Sequence, residues 1–402
     1  MPIKMRKIII LTLFLSLLQT TSFAEPIKPK ERIPSDISPE LKKNIEMLYS
    51  SDAATQQYAA RKIGKMGKEA IPAIPFLIDI SGVPEYEYTS SSSGIGSNMI
   101  FTWHYGFAFP GATARTVLME MGDVAVEPLI KSFQDKSREY SSREGAILTL
   151  VSMKEYRAIE PLVSCFINPT ETMAIRIESA KALDTFSWVG NKDIVSSLIS
   201  FLKEKHKFGY PENMSEKSNY FVLKKYIINA LGRIGDERAV EPLILVLTKE
   251  AWKGMADEDC CVAAMYALSP VDDEHVSDVL VKFINKAPPA FLQSRIAGAE
   301  ILGARINREW NIKEVGALKL RLNDIDGPVR SKAISVFANL QDPRAVDTLV
   351  SYLNDRYFYI RQGAELALKK MTSRDFGQDQ VKWQEWWDDK KKVFSAKGDF
   401  SE

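Results

Sequence analysis

The chain has 402 residues, 45% of them hydrophobic and 26% charged, which is ordinary for a soluble protein and too long for one common core. Its 53 basic and 52 acidic side chains leave a net charge of +1. Such a balance supplies no global field to steer the protein to nucleic acid or to an anionic membrane surface.

In chain order, the first 24 residues read as a secretory signal peptide. Lys4, Arg6 and Lys7 form a positive start, Ile8 to Leu18 is apolar apart from Thr12 and Ser16, and Ser22-Phe23-Ala24 offers small residues for a cut after Ala24. The apolar stretch is too short to cross a bilayer comfortably; an uncleaved anchor is the alternative. No cysteine stands near the cut, so the usual bacterial lipid-anchor signal is missing, and no later segment approaches 18 uninterrupted apolar residues. The mature form is therefore expected to lack a membrane span and to be periplasmic or secreted. Residues 25–38, with Pro26, Pro29 and Pro34 among charges, read as an extended linker. Ser38-Pro39-Glu40 then opens a helix over roughly 39–50, and Asp52 caps a second over 53–66.

From there one phrase recurs. ALGRIGDERAVEPL at 230–243 aligns without a gap with 149–162, and 336–349 fits the same frame; 118–129 and 62–77 fit with a one-residue gap. A period of this length marks stacked supersecondary units. Each unit reads as helix A, a tight turn, then helix B. Apolar residues at helical spacing mark helix A, as at Ile227, Ile228, Leu231 and Ile234, or Ile334, Phe337 and Leu340. The turn carries Gly235-Asp236, Gly122-Asp123 or Gln341-Asp342: glycine for a left-handed helix end and aspartate to cap the next helix. Ala239, Leu243 and Leu247 define the buried face of helix B, and Ala345, Leu349 and Leu353 repeat it. Pro128, Pro161 and Pro242 are expected near the first turn of helix B, where alone proline is tolerated, and this starts helix B close to Arg157 or Arg238. Turns are expected near 67, 122, 154, 190, 235, 272, 310, 342 and 372, about nine units, with the fourth, sixth and seventh resting mainly on spacing.

These residues resemble HEAT repeats of the bacterial kind named after phycobilisome lyases. Ser142-Arg143 with Ala146, Val329-Arg330 with Ala333, and Ile360-Arg361 with Ala364 match the arginine-to-alanine part of helix A; Ala239-Val240-Glu241-Pro242-Leu243 matches helix B. The resemblance covers roughly 50–372 and implies an all-α right-handed α-solenoid of about nine two-helix repeats. It implies a non-catalytic scaffold for a protein or peptide partner, or else a lyase-like or chaperone-like accessory subunit that assists modification or assembly of a partner. The tail, Gly377-x-Asp379-x-x-x-Trp383-x-x-Trp386-Trp387, is similar to the ends of many such proteins. Trp383 and Trp387 share a helical face and are expected to close the core over 373–402.

Signals for chemistry are sparse. His104, His206 and His275 lie far apart with no paired metal-ligand spacing, and HEAT-like hydroxylases carry His-Glu pairs that this chain lacks. Asp375-Phe376-Gly377 copies a kinase tripeptide without its companions. Gly94-Ile95-Gly96 lacks a third glycine, and there is no G-x-S-x-G elbow. No cofactor, no metal and no enzyme activity are expected. Nucleic-acid binding, as in HEAT-like DNA glycosylases, is opposed by the balanced charge. Cys165, Cys260 and Cys261 read as small buried apolar residues.

Two segments interrupt the repeat. Residues 83–110 hold Tyr86, Tyr88, serines at 90–93, Gly94, Gly96, Phe101, Trp103, Tyr105, Phe107 and Phe109, with an alternation from 99 to 109 that suits a β-hairpin. Insertions of this kind map to one face of a solenoid, often the binding face. Tyr86, Tyr88, Phe101, Trp103, Tyr105 and Phe107 are the candidate partner-binding residues; the competing reading is that both strands fold back onto the first two units. Residues 203–218 look like a surface loop. Arg157/Glu160, Arg238/Glu241 and Arg344/Asp347, each three apart, form either a polar ladder that grips a peptide or solvated ion pairs.

Overall fold

The computed structural model describes residues 29–83, 86–91, 103–187, 194–203, 214–250, 257–308, 311–340 and 345–396. The expected signal peptide lies outside them, as does most of the expected loop at 203–218. The chain divides into two compact units that meet at residues 182 and 183.

The first unit opens with α1 (Pro39–Met47), where Ser38 accepts the Leu41 N–H and Pro39 sits in the first turn. Asp52 caps α2 (Ala53–Gly64) by accepting the Ala54 and Thr55 N–H groups. A 3₁₀ turn at Gly67–Ala73 leads into α3 (Ile74–Ile80), and strands β1 (Tyr86–Ser91) and β2 (Trp103–Ala108) follow. Helices then run in pairs: α4 (Pro110–Met121) with α5 (Asp123–Gln134), α6 (Tyr140–Met153) with α7 (Ile159–Ile167), and the start of α8 (Met173–Phe186).

The second unit holds the end of α8 with α9 (Val195–Lys203), α10 (Met214–Ile234) with α11 (Val240–Leu245), and α12 (Glu258–Leu268) with α13 (Glu274–Lys286). After these come α14 (Leu292–Arg308) with α15 (Ile312–Leu322), α16 (Gly327–Leu340) with α17 (Val346–Ser351), and α18 (Phe358–Thr372) with α19 (Gln380–Ala396). From α2/α3 to α18/α19 the described residues make nine helix pairs, and breaks fall at the expected turns near 67, 122, 154, 235, 272 and 372; those expected near 190, 310 and 342 lie outside the described residues. The fold is all-α, and within each unit successive A helices lie side by side, as α2, α4 and α6 do in the first and α10, α12, α14, α16 and α18 in the second.

The turn chemistry is the expected one with two variations. Gly235 takes φ +65° and its N–H closes onto the Leu231 carbonyl at 3.1 Å, after which Asp236 accepts the Arg238 N–H at 3.0 Å. Lys154 takes the left-handed conformation (φ +56°) at the equivalent turn, where glycine would be less strained. Gly122 (φ +67°) is itself the cap of α5, so Asp123 becomes the first helical residue. Pro128 then falls in the second turn rather than the first, where it has no N–H to offer the carbonyl of Val124, a residue 48% exposed. Short 3₁₀ turns at Tyr156–Ala158 and Glu237–Ala239 precede α7 and α11, so Pro161 and Pro242 are third in their helices, as the sequence requires.

The core follows the repeated pattern. Ala239, Leu243 and Leu247, like Ala345, Leu349 and Leu353, are all buried, as are Ile227, Ile228 and Leu231. All three cysteines are buried, and burial pushes the Cys165 thiol up to about 11. At the end of the chain Trp383 and Trp387 are buried, and the Trp383 indole donates to the Gly377 carbonyl at 2.9 Å. The Asp375-Phe376-Gly377 tripeptide is the turn before α19: Gly377 has φ +58°, and the Phe376 ring meets Trp383 edge-on at 4.9 Å. No described helix is long and apolar enough to cross a membrane.

Candidate interaction site

The hairpin grows from a clamped root. Ser81 Oγ donates to Ile78 O, Ser142 Oγ donates to Asp79 O at 2.8 Å, and Arg115 Nη1 donates to Ser81 O at 2.5 Å. Three glycines permit this approach. A Cβ at Gly82 would collide with the Ser141 carbonyl, one at Gly145 with Ser81 and Gly82, and one at Gly111 with the Val83 carbonyl. Val83 and Gly111, the last described residue before the insertion and the second of α4, therefore touch backbone to backbone. Both ends of the insertion leave the helix stack at one fixed point.

Between them β1 and β2 pair antiparallel, with Tyr86 opposite Ala108, Tyr88 opposite Gly106, Thr89 opposite Tyr105 and Ser91 opposite Trp103. Alternation divides the candidate positions between two faces. Positions 86 and 88 share one face with 106 and 108; positions 103, 105 and 107 share the other with 87, 89 and 91. The backbone of β2 passes α2. Phe101 and the serine-glycine segment at 92–100 lie outside the described residues.

A second contact ties the expected linker to this region. Lys30 pairs with Asp135 and Ser137, and Glu31 accepts Arg138 Nη2 at 3.0 Å. Arg138 also pairs with Asp79, which accepts the Tyr49 hydroxyl at 2.7 Å. Burial holds the Asp79 carboxyl above its ordinary range, and the same burial with the Asp79 charge raises the Tyr49 hydroxyl. Residues 30 and 31 are thus fastened to the loop between α5 and α6.

The arginines of helix A form the most regular feature. Arg143, Arg176, Arg295, Arg330 and Arg361 are each the fourth residue of their helix. Arg143 Nε donates to Phe133 O at 2.7 Å and Arg176 Nε to Phe166 O at 2.9 Å, filling carbonyls that the preceding B helices leave open. Arg295, Arg330 and Arg361 donate to the loop carbonyls of Pro289, Asp324 and Asp355. Three of them also reach an acid ahead of the next helix A. Arg143 holds Glu171 through both terminal nitrogens (3.0 and 2.7 Å), Arg295 holds Asp324, and Arg330 Nε faces Asp355 at 3.3 Å. Burial opposes the charge of Glu171, but the Arg143 and Thr172 hydrogen bonds outweigh it and hold the carboxyl below its ordinary value. These are structural staples between neighbouring pairs. Sequence comparison marked the arginines as a pattern but not as staples; their constant fourth place in the helix was the available signal.

The arginine–acid pairs on helix B differ from expectation. Arg157 meets Glu155 at 2.7 Å and Asp123 at 2.5 Å, and Arg238 folds onto Asp236 at 2.8 Å. The capping acid two residues earlier is nearer than the acid three residues later, because it already turns back to accept the arginine's own backbone N–H. Arg344 is outside the described residues, and Asp347 pairs with Lys391 of α19 at 2.5 Å. Of the histidines, His275 lies 3.8 Å from Glu241 on an exposed surface. Among the described residues no group of three or more His, Cys, Asp or Glu is placed to hold a metal ion.

Comparison with known proteins agrees with this architecture. Residues 223–249 and 329–355 match the PBS lyase HEAT-like repeat; these are the greater part of α10 with α11, and α16 with α17. The protein is an α-solenoid that carries HEAT repeats of the PBS lyase-like kind. Among solved structures it is similar to the complex of CpcE and CpcF of phycocyanin lyase from Nostoc sp. PCC7120, at 18% identity and TM-score 0.36, over 66% of this chain and 94% of that one. Human deoxyhypusine hydroxylase in complex with glycerol gives 17% identity and TM-score 0.29, over 66% and 91%. The karyopherin Kap121p bound to the extreme C-terminus of the protein phosphatase Cdc14p gives 15% identity and TM-score 0.47, over 84% and 38%. No curated protein matches the chain.

Proposed function

We propose that the protein is a non-catalytic interaction scaffold, exported from the cytoplasm, that binds a protein partner through the hairpin at 86–108. The supporting observation is the hairpin's root. A segment that only filled a gap between helices would not need both ends pinned backbone to backbone at Val83 and Gly111. The pinned root gives the hairpin a fixed departure point and lowers the ordering cost of a binding loop. Positions 103, 105 and 107, which the strand register puts on one face, are Trp, Tyr and Phe, and aromatic residues are enriched in the anchors of interfaces. Export rests on the first 24 residues, read as a cleavable signal.

A photo-crosslinking residue at Tyr105, in the full chain expressed in its native cells, tests the reading. The account expects one protein species attached in the cell-envelope fraction; no adduct there argues against it. The accessory-subunit reading is favoured by the two PBS lyase HEAT-like repeats. Incubation with candidate tetrapyrroles separates the two, because the scaffold reading expects no spectral shift.

A further inference from the structure

The loops that lead into α16 and α18 carry an unbalanced charge cluster. Asp324 is taken up on both oxygens, by Arg295 and, at 3.1 Å, by Arg321. Asp355 accepts the Tyr357 N–H at 2.8 Å and faces Arg330 Nε. Arg330 is 5% exposed, and its Nη1 donates to the carbonyls of Asp324 and Ile325. Its Nη2 has no hydrogen-bond partner. In the matching place Arg143 spends both terminal nitrogens on Glu171. A buried donor without an acceptor is costly, and Arg330 carries two of them, since its Nε also lacks a hydrogen-bond partner. Arg356 adds a further cation, 4.6 Å from the Tyr357 ring that also covers Arg330 at 5.0 Å. Arg295, Arg321 and Arg330 thus pair with Asp324, Asp326 and Asp355, three charges against three, and Arg356 beside the Tyr357 ring leaves an excess of one positive charge.

Of these groups Asp324, Arg330, Asp355 and Arg356 border an open depression of about 360 Å³, with Ile325 and Tyr352 beside them. Ile325 is 71% exposed at its edge, and Phe358, next to Tyr357, is 60% exposed. We propose that the depression binds a carboxylate side chain from an extended segment of a partner protein, with an apolar neighbour of that residue resting on Ile325 and Phe358. The carboxylate meets the exposed Arg356 first. Rotation of Tyr357 then admits it to Arg330 Nη2, and arginine suits the planar acceptor. The site lies wholly in the second unit and stands or falls apart from the hairpin.

The test titrates the full chain, by calorimetry, with a capped tripeptide of leucine, glutamate and phenylalanine, with its glutamine counterpart, and with inorganic phosphate. The glutamate peptide is expected to bind about tenfold more tightly than the glutamine peptide. Arg356→Gln should erase that preference and leave the melting temperature unchanged, and Arg330→Lys should reduce it. The proposal is overturned if neither peptide binds, if both bind alike, or if the preference survives Arg356→Gln. Phosphate binding as tight as the peptide would mean an adventitious ion only, and would overturn it too.

Discussion

Arg143 and Glu171 show what one residue contributes to a stack. Both are almost fully buried, joined by two hydrogen bonds, and they tie the A helix of one pair to the loop ahead of the next. Arg143→Met strands a buried carboxylate and should cost about 3–5 kcal/mol in urea unfolding. Adding Glu171→Leu should recover most of that loss, because the uncompensated charge is then gone. A double variant no better than the single one would mean that the Phe133 carbonyl contact, not the ion pair, carries the effect. The same pair sets a pH dependence. The folded Glu171 carboxyl titrates below its unfolded value of about 4.3. Its contribution is therefore complete above that value and is lost as pH falls through the folded pKa. Acid unfolding of Glu171→Gln should show a shallower decline in that window; an unchanged profile would remove Glu171 from the account.

At the scale of the element, tight glycine contacts and the terminal indoles decide how helices seat. Gly145→Ala drives a methyl into Ser81 and should cost at least about 1–3 kcal/mol by overpacking. Hydrogen exchange should locate the loosening at α3 and α6; protection that is unchanged there would contradict the clamp. Trp383→Ala should cost about 3–5 kcal/mol and raise exchange first in α17, against which α19 packs. The element order was legible in the sequence because turn chemistry is local: Gly235, Asp236 and Pro242 act within a few residues of one another. Even the degenerate copies fell where spacing put them, since a missing phrase does not remove the helix pair. The glycine clamp was not legible, because Gly82, Gly111 and Gly145 meet only after three helices have packed. The helix B ion pairs were misread for a related reason. Spacing on a helix ranks Glu160 and Glu241 as partners, whereas the caps Glu155 and Asp236, outside the helix proper, lie closer.

At the scale of the molecule, the repeats account for most of the chain as framework, in which each pair leans on its neighbours and distant pairs act independently. The aromatic composition of 83–110 pointed to the candidate site, although which positions share a face depended on the strand register. The expected export predicts Glu25 as the first residue of the protein recovered from its native cells, read by mass spectrometry; recovery of the intact 402-residue chain would contradict it. Independence between distant pairs predicts that removing the insertion leaves the framework standing. The decisive measurement follows from that. The variant lacking 86–107, with a short glycine-serine bridge from Glu85 to Ala108, is compared with the full chain for melting temperature and for recovery of native partners by pull-down. The account predicts an unchanged melting temperature within about 2 °C, on the order of the shift that 1 kcal/mol makes in a chain of this size, together with loss of the partner. Undiminished partner recovery by a variant of unchanged stability would contradict it.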